Sequence, residues 1–169
     1  MKVLFEDQFT MTKKSAIEIG KIVARKQRLG LLIMSILYII TPIIFLMIYG
    51  FDWNLFVVCA VSILAFLILR SRIPKKVGAQ LYQQQFILHH HEPITKTATV
   101  FEDHIEHHSG NGAQLTIFYN RINSVRKTTH FMVLIYEKAV IVPIELSGFT
   151  KGTPEAFKEF LLEKGVKVK

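Results

Sequence analysis

The stretch "LGLLIMSILYIITPIIFLMIYGFDWNLFVVCAVSILAFLIL", Leu29 to Leu69, decides the fold. Asp52 is its one charged residue. The first block, residues 29–50, carries no charge, and twelve Leu, Ile or Phe side chains fall within residues 31–49. At roughly −0.3 to −0.6 kcal/mol each, they favour insertion into a bilayer by about 4–7 kcal/mol before polar costs. At ~1.5 Å per residue the block is about 33 Å long as a helix, which matches the hydrocarbon core of a membrane. The second block, Trp53 to Leu69, is shorter and equally uncharged. Tyr49, Phe51 and Trp53 surround the break, where aromatic rings suit the headgroup level. "GFD", residues 50–52, leaves no room for a folded loop, so two transmembrane helices, 29–50 and 53–72, are expected as a tight hairpin. Thr41-Pro42 lies mid-span. The proline removes a donor and predicts a kink, with the Thr41 hydroxyl helping to satisfy a freed carbonyl.

Charge gives the orientation. The 169 residues carry a net charge of +8, placed unevenly: +4 in residues 1–28, +3 in 29–91 and only +1 in 92–169. Lys13, Lys14, Lys21, Arg25, Lys26 and Arg28 precede the first span, and Arg70, Arg72, Lys75 and Lys76 follow the second. The connecting loop has no Lys or Arg. Basic residues stay on the cytoplasmic side, so both termini are expected there, in a multi-pass protein of the cell membrane. A basic excess confined to the flanks of apolar blocks suits an anionic lipid surface rather than nucleic acid. The single cysteine, Cys59, lies within the second block and excludes an intrachain disulfide.

Residues 1–28 give a cytosolic strand, "VLFEDQF", then a basic helix from about Thr12 with Ala16, Ile19, Ile22 and Val23 towards one face. That helix either lies on the bilayer surface or extends the first span. Residues 74–91 predict a linker helix with Pro74 in its first turn, ended near Glu92-Pro93. Residues 93–169 then change character. Short runs rich in Val, Ile, Thr, Phe and Tyr alternate with turns at Glu102-Asp103, Ser109 to Gly112, Asn120-Arg121 and Glu137-Lys138. They predict an antiparallel meander of about six strands. "TPEAFKEFLLEKG" adds a helix with Thr153 as N-cap, Pro154 at its first position, Phe157, Phe160 and Leu161 on one face, and Gly165 as its stop. The fold class is thus an α+β membrane protein: a helical hairpin followed by a small antiparallel-sheet domain that a C-terminal helix closes.

One stretch suggests chemistry. "FILHHHEPITKTATVFEDHIEHHSG", residues 86–110, holds six of seven histidines. His89, His91, His104, His107 and His108 are the candidate metal ligands. Consecutive helical residues point about 100° apart, so His89, His90 and His91 cannot converge from a helix. His104 and His108 in a strand would stand about 13 Å apart, too far for one metal. A shared site therefore needs the end of the linker to fold back onto the first hairpin. Proton sensing is a second reading of the cluster. Exposed polar residues on a linker end and an edge hairpin are the plainest one. No H-E-x-x-H, phosphate loop or G-x-S-x-G is present, so no enzyme activity and no cofactor are implied.

The sequence from Val100 to Thr150 resembles the YcxB-like family of bacterial membrane proteins. The features that carry the resemblance are "FEDHI" at 101–105, the tyrosine-bearing strand before "RINSV", the pair "HFMVLIYEKAVIVP", and "FT" before the final helix. The resemblance implies two N-terminal spans and a pleckstrin-homology-like (PH-like) strand domain. The chain departs from the family pattern in having Phe118 or Tyr119 where a tryptophan is common, and Ile144 where a basic residue often follows the proline. Together these features favour a membrane-anchored, non-enzymatic module that presents its cytosolic domain to a protein partner or to lipid. The alternatives are an immunity- or stress-resistance-type membrane protein, and a metal- or pH-responsive one acting through His89 to His108.

Overall fold

The computed structural model describes residues 2–137 and 140–169. The elements run β1 (Phe5–Met11), α1 (Lys13–Val23), α2 (Arg25–Tyr49), α3 (Trp53–Leu88), β2 (Ile94–Val100), β3 (His104–Ser109) and β4 (Gln114–Phe118). After a short 3-10 turn at 119–121 come β5 (Ile122–Lys127), β6 (Phe131–Tyr136), β7 (Val140–Glu145), β8 (Phe149–Lys151) and α4 (Pro154–Glu163). Two antiparallel sheets result. One has the order β4-β3-β2-β1-β8, the other β5-β6-β7. Of the expected turn at Glu137-Lys138, Lys138 lies outside the described residues.

The long apolar stretch forms two antiparallel helices, each long and apolar enough to cross a membrane. Asp52 caps α3 by accepting from the Asn54 amide at 2.9 Å, as N-terminal asparagines and aspartates do. Little of either apolar window is buried inside the protein. Pro42 lies within α2 without ending it. Thr41 Oγ1 donates to the Leu37 carbonyl at 2.9 Å. That carbonyl is one residue before Tyr38, whose oxygen the missing proline donor leaves free.

Two boundaries differ from the sequence expectation. The first concerns the N-terminus. β1 is not a separate segment but an inner strand of the five-stranded sheet. It pairs with β2 along its whole length, from Phe5 opposite Val100 to Met11 opposite Ile94, and with β8 on its other side. The segment 93–169 is therefore an incomplete sheet. The reason is combinatorial. Alternation identifies a strand, but nothing local says that its partner lies more than eighty residues away. Second, residues 74–91 are not a separate helix: α3 runs unbroken through Pro74 to Leu88. The turns beyond the proline are held by packing against α1, which outweighs the one lost backbone bond.

The remaining signals stand where they were read. Thr12 caps α1, accepting from Ser15 N at 3.1 Å, while the Ser15 hydroxyl accepts from Thr12 N at 3.0 Å. Thr153 caps α4 by accepting from Ala156 N at 3.2 Å, and Gly165 turns the chain at φ 77°. Phe157 and Leu161 of α4 are fully buried against Val100, Ile105, Val125 and Leu134. A second cluster joins Phe9 and Met11 of β1, Ala16 and Ile19 of α1, and Phe131 and Val133 of β6, with Tyr82 and Phe86 of α3 at its margin. The apolar face of α1 is therefore spent on the protein and is not free to lie on a bilayer. α1 passes into α2 through the single residue Ala24, whose amide donates to the Gly20 carbonyl and whose carbonyl accepts from Arg28 N, both at 2.9 Å.

α1 reaches α3 at Gly20 and Gly78. A Cβ on Gly20 would stand 2.7 Å from the Pro74 carbonyl and 2.8 Å from Gly78 N. One on Gly78 would fall on the Ile17 backbone and 2.6 Å from the Ala16 carbonyl. The backbones touch, so neither helix can carry even a methyl group there. On the opposite side of α1, Glu18 accepts from the His130 backbone amide at 2.9 Å and pairs with its ring Nδ1 at 2.8 Å. This clips α1 to the β5–β6 turn. Alanine in place of a helical glycine ordinarily stabilises by about 1 kcal/mol. Here Gly78→Ala is expected to destabilise by about 1–3 kcal/mol through overpacking. Gly30→Ala, which has open space around its site, should show the ordinary gain. Thermal unfolding of the two variants in detergent checks the opposite signs.

Candidate functional site

Two features stand out from the fold. The first is basic. The ten residues flanking the apolar helices occupy α1, the start of α2 and the middle of α3, which the Gly20–Gly78 crossing gathers at one end of the hairpin. All are exposed except Arg28 and Arg70, which are half-buried. Among the described residues none of the ten forms an ion pair with an acid. They form a belt of unneutralised charge.

The second is a cleft of about 330 Å³ where the end of α3 passes the inner faces of β2 to β4 and β7. Its polar side comes from strand alternation. Ile94, Ala98 and Val100 of β2 face the core, and Lys96 shares their face. On β3, Ile105 and His107 face the same way, with His107 opposite Ala98 and Ser109 opposite Lys96. A lysine and a histidine thus sit on the core side of an inner strand pair, between the two apolar clusters. His107 is 9 % exposed, and its Nε2 is buried without a hydrogen-bond partner. Burial, then the positive charges of Lys96 and His108, push its ring down to about 4, so it is neutral at physiological pH. Burial likewise lowers Lys96 below the ordinary lysine value.

The histidine triplet lies beside this cleft, joined to it through Ser109. His89 ends α3, is 4 % exposed, and pairs through Nε2 with the Ser109 hydroxyl at 2.9 Å. Burial first, then Lys96, depress its basicity, and nearby Glu92 partly offsets them. His90 and His91 adopt left-handed φ values of 53° and 69°. The His91 amide reaches back to the Phe86 carbonyl at 2.9 Å, a Schellman-type end in which glycine is the commoner residue. The seam between helix and first hairpin does fold back on itself.

The candidate ligands nevertheless separate. His104 and His108 project from the outer face of β3 and flank Glu106, each at 3.4 Å from one of its oxygens. His104 also meets Asp103 at 2.7 Å. His107 points to the inner face, His89 is engaged by Ser109, and His91 stacks edge-on against Phe86, with centroids 5.1 Å apart. Among the described residues no group of three His, Cys, Asp or Glu side chains is placed to hold a metal ion. The reading of these histidines as exposed polar residues fails for His89 and His107. Lys96 went unnoticed in the sequence. The signal was there in "ITKTATV", where a lysine occupies a core-facing register position.

Asp7 is the third inward polar residue. It is 2 % exposed, its Oδ2 accepts from Glu145 N at 3.3 Å, and its Oδ1 has no partner. Burial pushes its carboxyl up to about 7; the Glu145 amide opposes the shift and the Glu145 charge adds to it.

Residues 100–161 match the family model described as YcxB-like protein. The match covers β3 to β8 and most of α4, and the two long apolar helices ahead of it fit the membrane-anchored description of that family. No curated protein and no solved structure matches the chain.

An acid whose folded value is raised binds its proton more tightly in the native state. Its stabilisation is therefore complete below the unfolded value and is lost as pH rises through the folded one. Native stability should fall by on the order of 2–4 kcal/mol between about pH 4 and pH 7 from this group. Asp7→Asn should flatten that slope. Unfolding midpoints across pH for both proteins measure it, and parallel slopes would exclude Asp7 as the source.

Proposed function

We propose that this chain is a membrane-anchored, non-enzymatic module of the cell membrane. In this reading α2 and α3 span the bilayer as a hairpin, both termini are cytoplasmic, and a PH-like two-sheet domain closed by α4 is held at the inner surface to bind a protein partner or lipid. One observation carries it. The strand before the hairpin, β1, pairs in one sheet with β2 and β8 from after it, so both flanks of the apolar hairpin lie on one side. The unneutralised belt at the same end of the hairpin supports the cytoplasmic assignment, because each Lys or Arg near an anionic leaflet contributes up to ~1 kcal/mol. α3 runs on from its apolar part into the sheet contacts, which makes the domain an extension of the anchor rather than a tethered ball.

Impermeant-thiol labelling in intact cells tests the topology in a Cys59→Ser background. Asp52→Cys should label from outside, and Lys158→Cys only after permeabilisation; the reverse pattern overturns the reading. A photo-crosslinker at exposed Phe118, Thr116 or Gln114 should then yield a discrete protein or lipid adduct in native membranes. No adduct from any of the three contradicts a binding role for the sheet.

A further inference from the structure

The charge balance in the α3–sheet cleft points to a ligand. Lys96 has no hydrogen bond or ion pair among the described residues, although it sits on the core side of β2. A partly desolvated ammonium without a partner is costly, and proteins keep such groups where something pairs with them. Among the described residues no aspartate or glutamate lines the cleft. The other polar groups there can donate. His107 Nε2 is buried and unpartnered. Asn111 turns its oxygen to the Ala113 amide at 3.2 Å, which leaves its NH2 group over. The site therefore offers positive charge and donors without a competing anion.

Its walls are apolar. Leu88, Leu115 and Val142 line the same cleft. Beyond Lys96 a second cleft of about 270 Å³ opens between α1, α3 and β7, sharing Gln85, Lys96 and Ile141 with the first. Ile19, Leu81 and Pro143 line it, again without an acid. Lys96 thus stands between a polar end and an apolar one, the arrangement that fixes an amphiphile by its head.

We infer that the paired cleft binds a small anion with an apolar body: a carboxylate or phosphate monoester on a short acyl or alkyl chain, its head on Lys96 and His107 Nε2, its chain against Ile19, Leu81 and Pro143. This goes beyond the anchoring role and does not depend on any protein partner. The open groove lined by Lys2, Phe118 and Lys164 is a poorer fit, because Glu102 and Asp103 share it.

Calorimetry on the full chain in phosphatidylcholine nanodiscs tests the inference, with hexanoate and hexyl phosphate as probes and acetate, inorganic phosphate and hexanol as controls. The probes should bind saturably and at least ten-fold more tightly than the controls. Lys96→Met should weaken them at least ten-fold. It should also raise thermal stability, because it removes a desolvated charge; Lys96→Gln serves if the methionine variant misfolds. Ring NMR of His107 should move on titration of hexanoate into wild type and stay still in Lys96→Met. Absent saturation, equal affinity in wild type and Lys96→Met, or hexanol binding as well as hexanoate would each overturn the site. Discs rebuilt with phosphatidylglycerol distinguish the source. Loss of hexanoate binding there assigns the site to a lipid anion, and unchanged binding assigns it to a soluble one.

Discussion

α1 and α3 approach until their backbones touch at Gly20 and Gly78, and the rest of the molecule is arranged around that contact. Two helices with side chains at the crossing would stand about 8–10 Å apart. Removing the side chains brings them closer and fixes where α1 lies along α3. Because β1 leads straight into α1 through the Thr12 cap, the same contact determines where β1 can add to the sheet. Met11 opposite Ile94 and Phe9 against Phe131 then follow as packing consequences. A hairpin that would otherwise be joined to its domain by two flexible strands of chain is instead built into it, by a strand on one side and a long helix on the other.

That construction explains which parts of the structure could be read from the sequence. Signals that act over a few residues were legible. The uncharged blocks, Asp52 before α3, Thr12 before α1, and the Thr153-Pro154 start of α4 each carry their physics locally, and each stands where it was read. The misplaced boundaries concern contacts distant in sequence. "FEDQFTM" reads as a strand, but its pairing with "ITKTATV" is a tertiary choice made across the whole hairpin. Pro74 reads as a start because proline favours a first turn. The burial of Gly78 against α1, which carries the helix through it, depends on a partner some sixty residues earlier.

The candidate site divides in the same way. The histidine run drew attention by composition, yet composition cannot say which face of a strand a ring occupies. β3 sends His104 and His108 outward to Glu106 and turns His107 inward. The informative residue was a single lysine out of place, Lys96, whose apolar neighbours at 94, 98 and 100 fix its direction. His89 reaches Ser109, at the margin of that cleft, only because α3 is long enough to bring its last turn there. Polar groups kept inside a small domain without partners lower its stability.

The central claim is that hairpin and sheet form one cooperative body through β1. Hydrogen–deuterium exchange of the full chain in a membrane mimetic tests it most directly. The amides of β1, from Asp7 to Met11, should be as protected as those of β2 and β3 and should open together with them under denaturant. Fast exchange in β1 alongside persistent protection in β2 to β4 would show that the N-terminal strand is a loose addition, and would contradict the account.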